Sequence, residues 1–169
     1  MTNNDLLRRI RFVFDFNDTE MIAIFSQADR DVTRAQISDW LKREDDPAYQ
    51  ECNDKLLATF LNGFINEKRG KKEDSLEKPE KKLTNNIIFN KLKIALSLKA
   101  ENVLAILELS EFHISKHELS AFFRKSGHKH YRECKDQVLR NFLNGLQIKY
   151  RGTSKPEKEF EWKQTSKEG

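Results

Sequence analysis

The sequence predicts an all-α protein of two tandem, pseudo-symmetric helical repeats of about four short helices each, packed together. Three observations carry that prediction. The phrase YQECNDKLLATFLNGF, beginning at Tyr49, returns as YRECKDQVLRNFLNGL at Tyr131, 82 residues later. Apolar residues recur at the three- and four-residue spacing of amphipathic helices through both halves. With only six Gly and three Pro in 169 residues, few positions interrupt helices, and the 37% hydrophobic content, including twelve Phe, is enough to fill a core.

The duplication is longer than the phrase. Residues 4–70 overlie 86–152 at a constant offset of 82 without a gap, giving fifteen identities in sixty-seven positions. They open with Asn4/Asn86, include Ala23/Ala105, Ile24/Ile106 and Ser38/Ser120, and concentrate between Tyr49/Tyr131 and Gly70/Gly152. Two copies of one unit explain the pattern. A unit of under 70 residues buries too little apolar surface alone, so the copies are expected to pack on each other. The expected organisation is a first repeat over 1–70, a charged, solvated linker over 71–85, a second repeat over 86–152 and a mobile charged tail over 153–169.

In the first helix Leu6, Leu7, Ile10, Val13 and Phe14 share one face, with Arg8, Arg9 and Arg11 largely around the other; Ile88, Phe89, Leu92, Ala95 and Leu96 repeat the stripe. The second helix follows Asp18 as cap and presents Met21, Ile22, Phe25 and Ala28, matched by Val103, Leu104 and Leu107. The third opens on capping boxes, Thr33 to Gln36 and Ser115 to Glu118, with Ile37, Trp40, Leu41 and Leu119, Phe122, Phe123 inward. The fourth carries Leu56, Leu57, Phe60, Leu61, Phe64 and Ile65 on a broad apolar face. Arg69-Gly70 and Arg151-Gly152 end it, with a cation near the carbonyl terminus and Gly in the cap.

Within the repeated motif, Tyr49, Cys52, Asn62 and Gly63 answer to Tyr131, Cys134, Asn144 and Gly145. A mid-helix Gly costs about 1 kcal/mol against Ala, so its presence in both copies predicts the close approach of another backbone. Asn62 and Asn144 lie on the flank of that helix, where an amide is expected to bond a neighbouring loop rather than a ligand. The two cysteines read as small buried hydrophobes in a reducing compartment, not as a disulfide.

No run approaches the roughly 20 apolar residues of a membrane helix, and MTNNDLLRRIRFVF lacks the order of a secretory signal, so a cytoplasmic protein is expected. The runs KREDD, YQEC and FLNGFINEKRG, together with NNIIFNKLKIALSLK and HKHYRECKDQVLRNFLNGL, resemble the YehS-like family of uncharacterised bacterial proteins, the domain of unknown function 1456, over roughly residues 3–150. The resemblance implies a small bacterial cytoplasmic protein with two all-helical copies. It implies no activity, cofactor or catalytic residue.

Charge separates the copies. Residues 4–70 hold ten Lys and Arg against thirteen Asp and Glu, a net of −3, whereas residues 86–152 hold twelve against six, a net of +6. Ordinary surface drift between duplicates would produce such a difference, but so would one copy meeting an acidic partner. Nucleic acid is the leading expected partner. Helices two and three are expected to form a helix-turn-helix, with Arg34, Gln36, Ser38, Lys42 and Arg43 outward in the first copy, and Lys116, His117, Ser120, Arg124 and Lys125, followed by Lys129 and Arg132, in the second. Asp39, Glu44, Asp45 and Asp46 oppose phosphate in the first copy, so Lys116, Arg124, Lys125, Lys129 and Arg132 are the candidate binding residues. A protein partner is the rival, with Trp162 as its probe; Phe160 and Trp162 are the tail aromatics that could dock on the body or on a partner.

HKHYREC offers His128, His130 and Cys134, but the first copy has Asp46, Ala48 and Cys52 there and no fourth ligand is evident, so no metal site is expected. His113 and His117 straddle the Ser115 cap, which is expected to turn them apart. No phosphate-cradling Gly-rich loop, nucleophile elbow or metalloprotease His pair occurs, and the carboxylates Glu51, Asp54, Glu133 and Asp136 read as helix-start charges. The expectation is a binding protein without catalytic residues or cofactor.

Overall fold

The computed structural model describes residues 1–71 and 78–152, and these contain eight α-helices and no strand. In the first repeat these are α1 Asn3–Val13, α2 Asp18–Gln27, α3 Arg34–Leu41 and α4 Asp54–Arg69; in the second, α5 Asn85–Ala95, α6 Ala100–Leu109, α7 Lys116–Phe122 and α8 Asp136–Arg151. Every helix of the second repeat starts 82 residues after its counterpart. The protein is all-α, two repeats of four helices.

Local signals set the starts. Thr33 and Gln36, and Ser115 and Glu118, form the two reciprocal boxes expected of them. Asp18 is not the cap of α2: Asn17 is, accepting from the Glu20 amide while the Glu20 carboxylate accepts from the Asn17 amide. Asn17 and Asp18 are both acceptable caps by type, and the reciprocal Glu three residues on selects Asn17. Thr84 and Asn85, assigned to the linker, are the cap and first residue of α5. Just before them Leu83 packs against the core and its amide donates to Asp54 at 2.9 Å, so the linker's end is attached rather than solvated.

The turns after α1, α2, α5 and α6 carry no Gly, yet each places one residue in left-handed backbone: Asp15, Asp29, Ser97 and Glu111. The next residue's amide then reaches back five positions, as from Phe16 to Arg11 and from Phe112 to Leu107, closing the last carbonyls of the helix. Gly70 and Gly152 do the same service for α4 and α8 at φ 87° and 71°.

Packing explains the breadth of the apolar faces. α4 lies against α2 of its own repeat and α5 of the other; α8 lies against α6 of its own and α1 of the other. A helix with neighbours on two sides buries most of its circumference, and Leu56 through Phe64 are all buried. One continuous apolar cluster runs through both repeats, from Leu6 to Leu146. The cross-pairing of first and fourth helices is the pattern of a two-fold dimer joined into one chain.

Side chains at equivalent positions make equivalent cross-repeat contacts. Arg9 donates to Asn144 and, at 3.2 Å, to Gln147; its counterpart Lys91 donates to Asn62 at 2.6 Å. Arg151 pairs with Asp15 at 3.3 Å, and Arg69 reaches Ser97, the counterpart of Asp15, at 3.1 Å. Two expectations are corrected here. Asn62 and Asn144 accept from a basic side chain of the other repeat and not from a neighbouring loop, and Arg9 faces that interface rather than solvent, where burial holds its guanidinium below the usual value.

Gly63 and Gly145 sit where α4 crosses α2 and α8 crosses α6. A Cβ at either position would stand 2.0 Å from the carbonyl oxygen of Ile24 or Ile106, which is the close backbone approach that the paired glycines predict.

Candidate nucleic-acid interface

The candidate surface is held by one buried amide. Asn86, in the first turn of α5 and 6% exposed, donates to the carbonyls of Phe122 at 3.0 Å and Arg132 at 2.8 Å and accepts from the Cys134 amide at 2.9 Å. These three bonds fix both ends of the segment joining α7 to α8. Asn4 does the same in the first repeat, through Trp40, Gln50 and Cys52, and also accepts from the Tyr49 hydroxyl at 2.9 Å. Asn3 and Asn85 add a bond at 2.7 Å each to Asp54 and Asp136, at the starts of α4 and α8. The role of Asn4 and Asn86 was missed from sequence, although a polar identity on an otherwise apolar helix face was its signal.

That anchoring explains the repeated Cys. Cys52 and Cys134 are free, 1% exposed, and give their amides to the anchoring Asn. Burial pushes both thiols up to about 12, the state of inert packing groups. Tyr131 is half-buried beside the same segment.

The five predicted cations divide between two elements. Lys116 is at the start of α7, but α7 ends at Phe122, so Arg124, Lys125, Lys129 and Arg132 lie in the segment that follows it. All five are exposed. This corrects the helix-turn-helix expectation: the would-be recognition helices span only Arg34–Leu41 and Lys116–Phe122, and six residues, 28–33, separate α2 from α3 where that motif uses a turn of about 3–4. The basic surface is a short helix plus the loop pinned by Asn86.

Carboxylates distinguish the two copies of this surface. In the first, Lys42 pairs with Asp39 at 2.9 Å, which holds its ammonium above the usual value, and Arg34 stands 3.9 Å from Asp18. In the second the counterparts of those carboxylates are Ala121 and Ala100. Among the described residues Lys116, Arg124, Lys125, Lys129 and Arg132 have no ion pair.

Two cavities open on this surface. One of about 490 Å³ lies between α5 and the end of α7, and Arg124, Lys125, Phe123 and Tyr131 line part of it. One of about 270 Å³ is lined by Arg124, Lys129, Arg132, His117 and His130 together with Glu118 and Tyr131. His128 and His130 have ring centres 5.5 Å apart at the exposed tip, while Cys134 is buried beneath, so the HKHYREC residues are not brought together; among the described residues no group of three His, Cys, Asp or Glu is placed to hold a metal. His113 and His117 also diverge: His113 stands 3.9 Å from Glu108, and His117 lines the smaller cavity. Phe160, Trp162 and the rest of the expected tail, 153–169, lie outside the described residues, as does 72–77 of the linker. No described helix is long and apolar enough to cross a membrane.

Residues 3–70 and 85–152 each match the family described as "Protein of unknown function (DUF1456)". The uncharacterized protein YehS of Escherichia coli strain K12 is 45% identical over 148 residues, covering 86% of this chain and 94% of that protein. No solved structure matches the chain.

Proposed function

The chain belongs to the family of proteins of unknown function DUF1456, and on that premise we propose that it is a nucleic-acid-binding protein without catalytic activity, working through the basic face of its second repeat. One observation carries the reading: five exposed cations on α7 and the following loop have no ion pair among the described residues, whereas Arg34 and Lys42 of the first repeat pair with Asp18 and Asp39. Cations left bare on a rigidly anchored loop are free to displace the counterions of a phosphate backbone. Contact through Lys and Arg to phosphate gives affinity with little sequence preference. The reading requires a cytoplasmic location, where nucleic acid is within reach.

The test is fluorescence anisotropy of labelled DNA and RNA titrated with the full chain at low and physiological salt. Micromolar or tighter binding that weakens steeply with salt is expected, and Arg124→Glu with Lys125→Glu should abolish it. Reversing Arg34 and Arg43 in the first repeat should change it little. Full-strength binding by the Arg124/Lys125 variant removes this face from consideration, and no binding at low salt sinks the reading in favour of a protein partner.

A further inference from the structure

The two cavities beside the basic loop are neighbours that share Arg124 and Tyr131. Their chemistry differs. The larger, about 490 Å³, has Ile87, Ile94, Phe122 and Phe123 in its lining, and falls in the range of pockets that enclose small organic groups. The smaller, about 270 Å³, gathers Arg124, Lys129 and Arg132 with two imidazoles and one carboxylate, Glu118, so three cations outnumber a single acid there. A further cation, Lys91, lines the larger cavity, but Asn62 at 2.6 Å and Glu80 at 3.1 Å already engage its ammonium, so an incoming anion is drawn to the Arg124 side. The cavity beside Tyr49 in the first repeat carries Glu44 and Glu51 and no Lys or Arg.

A recess with an apolar wall of Ile87, Ile94 and Phe123 and polar groups such as Asn90 and Ser126 around it, next to a cup rich in cations and with Arg124 common to both, matches a molecule that has a flat ring with polar edges at one end and a phosphate at the other. We propose that the pair receives a single unpaired nucleotide, its base in the larger cavity against Ile94 and Phe123 and its phosphate in the cup with Arg124, Lys129 and Arg132. The inference rests on the nucleic-acid reading of this face and narrows it to single strands. In a duplex the bases are stacked inside and reach such a recess only by unpairing, whereas a single strand offers them directly.

The experiment compares a labelled mixed-sequence single strand of about 12 nucleotides, within the roughly 4–16 that such sites cover, with its blunt duplex, using the full chain at low salt. The single strand should bind about tenfold tighter, as expected when a base gains an apolar and aromatic contact. Ile94→Trp, at a side chain 37% exposed on α5, fills the recess without disturbing the core and should lower single-strand affinity to the duplex level while leaving duplex affinity unchanged. Equal affinity for both strands, or a single-strand preference that survives Ile94→Trp, overturns the inference and leaves the basic face standing. Absence of binding to either overturns both.

Discussion

Replacing Gly145 by Ala should destabilise the protein even though Ala is the better helix former. The added Cβ would lie 2.0 Å from the carbonyl oxygen of Ile106 and 2.8 Å from both its carbonyl carbon and its Cγ2. Ordinary contact begins near 3.4 Å, so α6 and α8 must part locally by about 1.4 Å. The carbonyl cannot swing aside without turning a peptide of α6 out of helical geometry, since Ile106 lies within that helix. Separation loosens packing around Ile106, Leu107, Phe142 and Leu146, all buried. Overpacking of this kind costs about 1–3 kcal/mol, and contact with fixed backbone argues for the upper end. Ala returns about 1 kcal/mol of helix propensity. The net loss is therefore about 2 kcal/mol, which lowers Tm by roughly 4–8 °C in a domain of this size. Gly63→Ala meets Ile24 in the same way and should cost as much. Gly127→Ala, where an added Cβ meets nothing within 4 Å, is the control and should change stability by less than about 0.5 kcal/mol. Calorimetric or circular-dichroism melting reads all three. A Gly145→Ala protein that melts at or above the wild-type temperature would refute the close crossing, because propensity alone would then decide the outcome.

Asn86→Ala removes two donated bonds and one accepted bond from buried backbone, and should cost about 3 kcal/mol in urea denaturation. It should also weaken nucleic-acid binding several-fold without deleting a charge; Asn86→Asp should not rescue either property, since a carboxylate cannot donate to the Phe122 and Arg132 carbonyls. The thiols of Cys52 and Cys134 are raised from near 9 to about 12, so the native state keeps protons that the unfolded chain releases. Their contribution to stability is intact below about pH 9 and falls as pH rises toward 12; Cys52→Ala with Cys134→Ala should flatten the decline in urea midpoint over that window. Lys135 precedes α8 with no side-chain cap, where Asn53 caps α4 by accepting from the Leu56 amide at 2.8 Å. Lys135→Asn should therefore raise stability by about 1 kcal/mol, read as a shift in the same midpoint.

What was legible in the sequence was local or duplicated. The two capping boxes, the Arg-Gly helix ends and the paired glycines each announce a short-range constraint, and each is found where the residues placed it. The partners of Asn62 and Asn144 were not legible, because a flank of α4 or α8 meets the other repeat through a pairing of helices that no one-dimensional period encodes. The same ignorance put Arg9 on the solvent side of α1: Arg8 and Arg11 close by are charged, and only α8 explains its burial. The short α7 defeated the recognition-helix reading for a different reason. Phe122 and Phe123 continue the apolar stripe, but the carbonyls of Phe122 and Arg132 turn to Asn86, and the chain leaves the helix there.

The two-fold arrangement also bears on why the copies diverged so unevenly. A duplicated unit that pairs α1 with α8 and α4 with α5 must keep what serves both sides of the interface, and Asn62/Asn144, Gly63/Gly145 and Arg69/Arg151 are identities that do so or that seat the helices which do. Lys91 and Arg9 differ but preserve the donor. The loop between the third and fourth helices carries little such constraint beyond its two ends, which Asn4 or Asn86 hold chiefly through backbone atoms, the Tyr49 hydroxyl being the one loop side chain bonded to Asn4. Its surface was therefore free to change, and the two loops changed in opposite directions: Glu44, Asp45 and Asp46 in one stand where Ser126, Gly127 and His128 stand in the other. Backbone anchoring by a single amide makes that loop a rigid frame for variable side chains, which is the arrangement a binding surface needs. Arg34, Lys42 and Arg43 already hold three of the five equivalent positions, so Pro47→Lys with Gln50→Arg, and Asp18 and Asp39 changed to Ala, should transfer salt-sensitive nucleic-acid binding to the first repeat; a grafted repeat that stays inert would show that the cavities beside Arg124, not the charges alone, make the second repeat the binding one.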